Sequence, residues 1–126
     1  MKTEIYSNNA PKPIGPYSQA IKHGNMIFIS GQIAMDYQNN NIINENIAEE
    51  TETVMKNIMS ILKESGCNFQ NIVKCSIFLS DMSLFDEVNK IYSKYFSPPF
   101  PARETVEVSK LPKNVNVEIS AIAITK

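Results

Sequence analysis

The chain has 126 residues, 43% hydrophobic and 20% charged, with 12 Lys and Arg against 13 Asp and Glu. That is one domain's worth of sequence, expected to span residues 1–126 and long enough to bury a core without disulfides or metals. A net charge of −1 and a pI near 5.8 argue against phosphate-directed nucleic-acid binding, which needs a basic stripe.

In chain order, MKTEIYSNN at the N-terminus has no apolar stretch of signal-peptide length, and nothing later approaches a membrane span. A cytoplasmic protein with no membrane partner is the expectation. Residues 8–18, NNAPKPIGPYS, read as a loop, with three prolines and a glycine. Short strands are expected at Gln19–Lys22 and Met26–Ser30, joined by the turn-like His23-Gly24-Asn25, with Gly31 ending the second. A third is expected near Gln32–Met35, followed by a polar loop.

Residues 47–64 carry helical periodicity: Ile47, Val54, Ile58, Ile61 and Leu62 recur on one face, with Thr51 among them and Met55 at the edge. Asn46 is placed to cap this helix, and Gly66 to close it. Glu49, Glu50 and Glu52 suit the positive end of the dipole, so this acidic run reads as a solvated helix start. Ile72–Leu79 alternates like a strand. A second helix is expected after Ser83, with Phe85, Val88, Tyr92, Tyr95 and Phe96 as its apolar stripe, stopped by Pro98-Pro99. Two last strands, Arg103–Val108 and Val115–Ile124, flank KLPKN and could pair as a hairpin.

This order predicts an α+β domain: a mixed sheet of about six strands with two helices packed on one face. The last strand is apolar on both sides near its end, Ala121 and Ala123 on one and Ile122 and Ile124 on the other. The second sheet face is therefore expected to be buried against another subunit.

Chemistry has few candidate residues. Cys67, Cys75 and His23 are the only cysteines and histidine. Their spacing fits no common zinc site and supports neither a Cys-His dyad nor a Ser-His-Asp triad. The thiols read as reduced core residues, and any reaction falls to carboxylates, Arg, Tyr, hydroxyls or backbone. Arg103 reads two ways, as one half of an exposed cross-strand ion pair or as a fixed fork for a carboxylate. Alternation puts Arg103, Thr105 and Glu107 on one strand face and Glu104, Val106 and Val108 on the other. Tyr17 is either packing beside Gly15-Pro16 or a hydroxyl in a cleft, and Ser30-Gly31 is a weak anion-binding signal.

Four segments decide more together: IGPYSQA at 14–20, ISGQI at 29–33, FPAR at 100–103 and VEVSKLPKNVNVEISAIA at 106–123. In order and spacing they strongly resemble the RidA (YjgF) family of reactive-intermediate deaminases, from end to end of the chain. The resemblance implies a chorismate-mutase-like fold and a homotrimer with active sites in clefts between subunits. It implies hydrolysis of 2-imino acids, released by pyridoxal-phosphate-dependent dehydratases, to 2-keto acids and ammonia, with no cofactor of its own and no metal. It assigns Arg103 to the substrate carboxylate, Glu118 to the attacking water and Tyr17 to the cleft, with Ser30 and Gly31 lining it. Phe85 and Asn89 are second-helix positions near the site. Thr105 stands where many members carry Cys, and Glu104 where a small residue is common. Two alternatives stand beside this: a regulator that uses the same cleft to bind keto acids without turnover, and the ribonuclease or translation-inhibitor activity described for some relatives. The pI near 5.8 argues against the latter.

Overall fold

The computed structural model describes all residues from Met1 to Lys126. Six strands form one sheet, β1 (Thr3–Ile5), β2 (Ala20–His23), β3 (Met26–Gln32), β4 (Ile72–Leu79), β5 (Ala102–Glu107) and β6 (Val117–Ile124). Two helices, α1 (Ile47–Glu64) and α2 (Phe85–Ser93), follow β3 and β4. The strand order is β1-β2-β3-β6-β4-β5. Every pair is antiparallel except β4 with β5, which runs parallel.

The hairpin that the last two strands could have made does not form. β5 pairs only with β4, reached by the crossover through α2, while β6 inserts between β3 and β4. The physical reason lies in their compositions. β6 alternates buried with half-buried residues along its whole length and gains most from neighbours on both sides. β5 carries Arg103, Glu104 and Glu107, the kind of charged strand that tolerates an edge.

Two further expectations are corrected. Gly31 does not end a strand: β3 runs through Ser30-Gly31, with its register to β6 shifting between Ile29 and Gln32. Residues 33–35 form no separate strand, and Met35 makes only an isolated bridge to Ile42. β1, at Thr3–Ile5, was not anticipated; three residues are too few to show alternation.

α1 is capped as its sequence suggests. Asn46 Oδ1 accepts from Glu49 N at 2.8 Å. At the other end Gly66 takes φ +70° and Cys67 N returns to the Leu62 carbonyl at 2.9 Å, a Schellman closure. The acidic start, however, is not all solvated. Glu50 is fully buried. Its carboxylate accepts from Asn116 N at 2.7 Å, Asn116 Nδ2 at 2.9 Å and Val117 N at 3.3 Å, pinning the entry of β6. Three donors at the far side of a helix turn cannot be foreseen from the run of glutamates. Glu52 accepts from Tyr95 and Lys94, tying α1 to the end of α2.

The helices cover one sheet face. Val54, Ile58, Ile61 and Leu62 of α1 and Val88 and Tyr92 of α2 close over Cys75, Ile77 and Leu79 of β4 and Val117, Ile119, Ala121 and Ala123 of β6 in one core. Both thiols are free and buried. The opposite face stays bare. Phe28 and Val106 are 42% and 40% exposed, and Phe78, Ile122 and Ile124 between them are only half-buried. No helix is long and apolar enough to cross a membrane.

Candidate functional site

Register decides which predicted residues meet. Cys75 of β4 lies opposite Arg103 of β5 and Ala121 of β6, and Cys75 and Ala121 are core residues. Arg103 and, two residues on, Thr105 therefore face the helices. Phe78 lies opposite both Val106 and Glu118, so Glu118 belongs to the bare face. A single chain holds Arg103 and Glu118 on opposite sides of its sheet and does not bring them together. The site residues form two groups.

The first group surrounds Arg103. Its Nη1 donates to Asn89 Oδ1 of α2 at 2.7 Å. Its guanidinium carbon lies 5.0 Å from the Tyr92 ring centroid and 5.6 Å from that of Phe85, within cation–π range. Phe85, Asn89 and Tyr92 recur at helical spacing, which is why one helix presents all three to one strand residue. The ion-pair reading of Arg103 is not what forms. The two ion pairs of the chain are Lys74–Glu104 and Lys94–Glu52. Glu104 lies across the sheet, where it pairs with Lys74 at 3.1 Å and accepts from Ser76, so it does not compete for Arg103. Beside the guanidinium runs a groove of about 420 Å³, lined by Asn89, Tyr92, Ser93, Phe100 and Pro101.

Two hydroxyls in this group are buried without a hydrogen-bond partner, Tyr92 Oη and Thr105 Oγ1. Burial pushes the Tyr92 phenol well above its ordinary range, with the Cys75 thiol beside it adding to that and Arg103 opposing it. Burial likewise raises the Cys75 thiol. By sequence Tyr92 belongs only to the apolar stripe of α2. The available signal was its spacing, three residues after Asn89 and seven after Phe85.

The second group is on the other face. Ser30 Oγ donates to the Ser18 carbonyl at 2.6 Å and Ser30 N to the Gln19 carbonyl at 2.9 Å. These bonds fasten the loop bearing Tyr17 to β3. Gln19 fixes the rest of that loop by accepting from Ser7 N and donating to the carbonyls of Ser7, Ala10 and Pro11. Tyr17 is 53% exposed and lines grooves with Ser30 on one side and Gly31 on the other.

Gly31 and Glu118 are in direct apposition. A Cβ on Gly31 would fall against the Glu118 carboxylate, 2.8 Å from its Cδ and 3.0 Å from its Cγ. Glycine is needed here for close approach rather than for backbone freedom. Burial raises the Glu118 carboxyl above its ordinary value, and no other influence on it is resolved. A carboxylate pushed upward in this way accepts a proton more readily than an ordinary exposed one. Nowhere do three His, Cys, Asp or Glu side chains converge as metal ligands.

Comparison with known proteins adds a frame to this geometry. The family described as Endoribonuclease L-PSP matches residues 7–125. A RutC family protein of Pyrococcus horikoshii is 48% identical, over 98% of this chain and 98% of its own. A human protein named 2-iminobutanoate/2-iminopropanoate deaminase is 45% identical, over 95% of this chain and 88% of its own. Among solved structures, a putative endoribonuclease of Thermotoga maritima superposes with a TM-score of 0.97 at 44% identity, covering 100% of this chain and 99% of that one.

Proposed function

The chain belongs to the endoribonuclease L-PSP (RidA) family, and on that footing we propose that it hydrolyses 2-imino acids to 2-keto acids and ammonia. The observation that carries this reading is Arg103: a half-buried guanidinium in a groove, fixed by Asn89 and two aromatic rings, with no carboxylate of its own. A pre-positioned fork without an internal counter-ion suits a substrate carboxylate. Thr105, with its unpartnered hydroxyl on the same strand face, supplies a further donor to that carboxylate.

The reading requires the two groups to meet, and hence an assembly. In a homotrimer with clefts between subunits, the Arg103 group of one subunit faces the Tyr17, Ser30, Gly31 and Glu118 group of the next. The bare face, with Phe28 and Val106 exposed, supports such an arrangement.

The chemistry then runs without a cofactor. Arg103 binds the carboxylate of the imino acid. A water oriented by Glu118 bonds through oxygen to the electrophilic imine carbon, and the C=N electron pair moves to nitrogen. Glu118 takes the proton that water loses and returns it to nitrogen. Glu118 then takes the hydroxyl proton of the carbinolamine and passes it to the amino nitrogen. The C–N bond breaks, ammonia leaves with that bond's electron pair and the C=O bond closes. General-base assistance of this kind contributes about 10²–10⁴-fold. Gly31 keeps the space that Glu118 occupies. Tyr17 shapes the mouth of the cleft, and the hydroxyl of Ser30, already committed to Ser18, holds its wall.

The test is a competition. A threonine dehydratase supplies the imine, semicarbazide traps it, and formation of 2-ketobutyrate is followed. The protein should outpace the trap, and a folded Arg103→Ala variant should not; equal rates for the two would remove Arg103 from the site. Glu118→Gln separates catalysis from mere binding, because an enzyme loses turnover there while keeping affinity for the keto acid.

A further inference from the structure

The second helix carries two tyrosines in its apolar stripe or just beyond it, and their hydroxyls have different fates. Tyr95 donates to Glu52 and so joins α2 to α1. Tyr92 is 4% exposed, and its hydroxyl has no hydrogen-bond partner. An unsatisfied buried polar group destabilises the fold, because its desolvation is not offset by a hydrogen bond. Phenylalanine would fill the same space, keep the 4.7 Å contact with the Phe96 ring and carry no such cost. A core role alone therefore accounts for the ring and not for the oxygen.

The surroundings of that oxygen are specific. Arg103 of β5, the register partner of Cys75 of β4, lies against the Tyr92 ring, while Asn89, one turn earlier on α2, holds Arg103 Nη1. The Tyr92 ring lies nearer the guanidinium than the Phe85 ring does, at 5.0 Å against 5.6 Å. We propose that Tyr92 is a positioning residue for Arg103. Its ring fixes the guanidinium from the interior side, and its hydroxyl braces the fork with a neutral dipole when a carboxylate is bound in front. Neutrality matters, because an acidic residue in the same place would occupy the fork and keep the ligand out. Tyr92 touches no reacting atom and acts through Arg103, so the inference rests on the reading that Arg103 holds the substrate carboxylate.

Tyr92→Phe isolates the oxygen, since it removes one unbonded atom and leaves the ring. Calorimetric titration of the full chain with 2-ketobutyrate, for wild type, Arg103→Ala and Tyr92→Phe, is paired with the dehydratase-coupled assay. The expected result for Tyr92→Phe is a melting temperature equal to or above wild type, Kd and KM raised about tenfold, and kcat changed less than about threefold. A purely structural hydroxyl would not move KM apart from kcat. If wild type binds, Arg103→Ala does not, and Tyr92→Phe binds like wild type, the brace is overturned while the carboxylate role of Arg103 stands. If Arg103→Ala binds the keto acid as wild type does, or wild type does not bind it, both readings fall together.

Discussion

The two faces of the sheet are made by the same strands, yet one is covered by the helices and the other is exposed. On the helix side, Val117, Ile119, Ala121 and Ala123 of β6 vanish beneath α1 and α2. On the other side, Glu118, Ser120, Ile122 and Ile124 of the same strand are only half-buried. The contrast extends to carboxylates. Glu50 is buried with three N–H donors around it and is thereby a structural pin. Glu118 is half-buried and receives no hydrogen bond, and its proton affinity is raised by that environment alone. Burial with donors stabilises a carboxylate; burial without them prepares it for proton transfer.

Arg103 and Glu118, on opposite faces of one chain, should complement each other between subunits in the proposed trimer. Arg103→Ala and Glu118→Gln should each abolish turnover alone. Unfolded, mixed in equal amounts and reassembled, they should recover about one quarter of wild-type activity, because random assembly of a ring places an intact arginine beside an intact glutamate that often. No recovery would mean that each site draws both residues from one subunit. If the proposed trimer forms through the bare face, Phe28→Asp should yield monomers with the circular-dichroism spectrum retained, read by size-exclusion chromatography. An unchanged elution volume would show that this face is not the contact.

Smaller changes sharpen the account of Glu118. Gly31→Ala must displace the carboxylate beside it, so kcat/KM should fall about 10²-fold while stability drops by no more than about 1 kcal/mol. Unfolding midpoints and steady-state rates measured together check both. The smallest effect is on stability. Because the folded-state pKa of Glu118 lies above its ordinary value of 4.5, its ionisation at neutral pH counts against the folded state. Glu118→Gln should therefore melt at a slightly higher temperature than wild type at pH 7. The difference should disappear as pH falls below 4.5, where the carboxyl is protonated folded or unfolded.

Much of this was legible in the residues. Helix α1 declared itself by the period of Val54, Ile58 and Ile61, with Asn46 and Gly66 marking its ends, because capping and amphipathicity are local. The strict alternation of β6 marked Val117, Ile119, Ala121 and Ala123 as one face, and these are the residues that lie under the helices. The segments IGPYSQA, ISGQI and FPAR carried the family. Strand pairing was not legible: KLPKN looks like a hairpin connection, and only the crossover through α2 shows that β5 takes the parallel edge and β6 the middle.

By itself the sequence determined the α+β class, the elements and the identities of Arg103 and Glu118 as candidate groups, since these follow from patterns a few residues long. Tertiary structure alone decided that Glu50 is a pin rather than a solvated charge, that Arg103 answers to Asn89 and Tyr92 rather than to an acid, and that Arg103 and Glu118 face apart. Each of those outcomes depends on which strand lies beside which. Strand order is fixed by long-range competition for burial, which no window of the sequence contains.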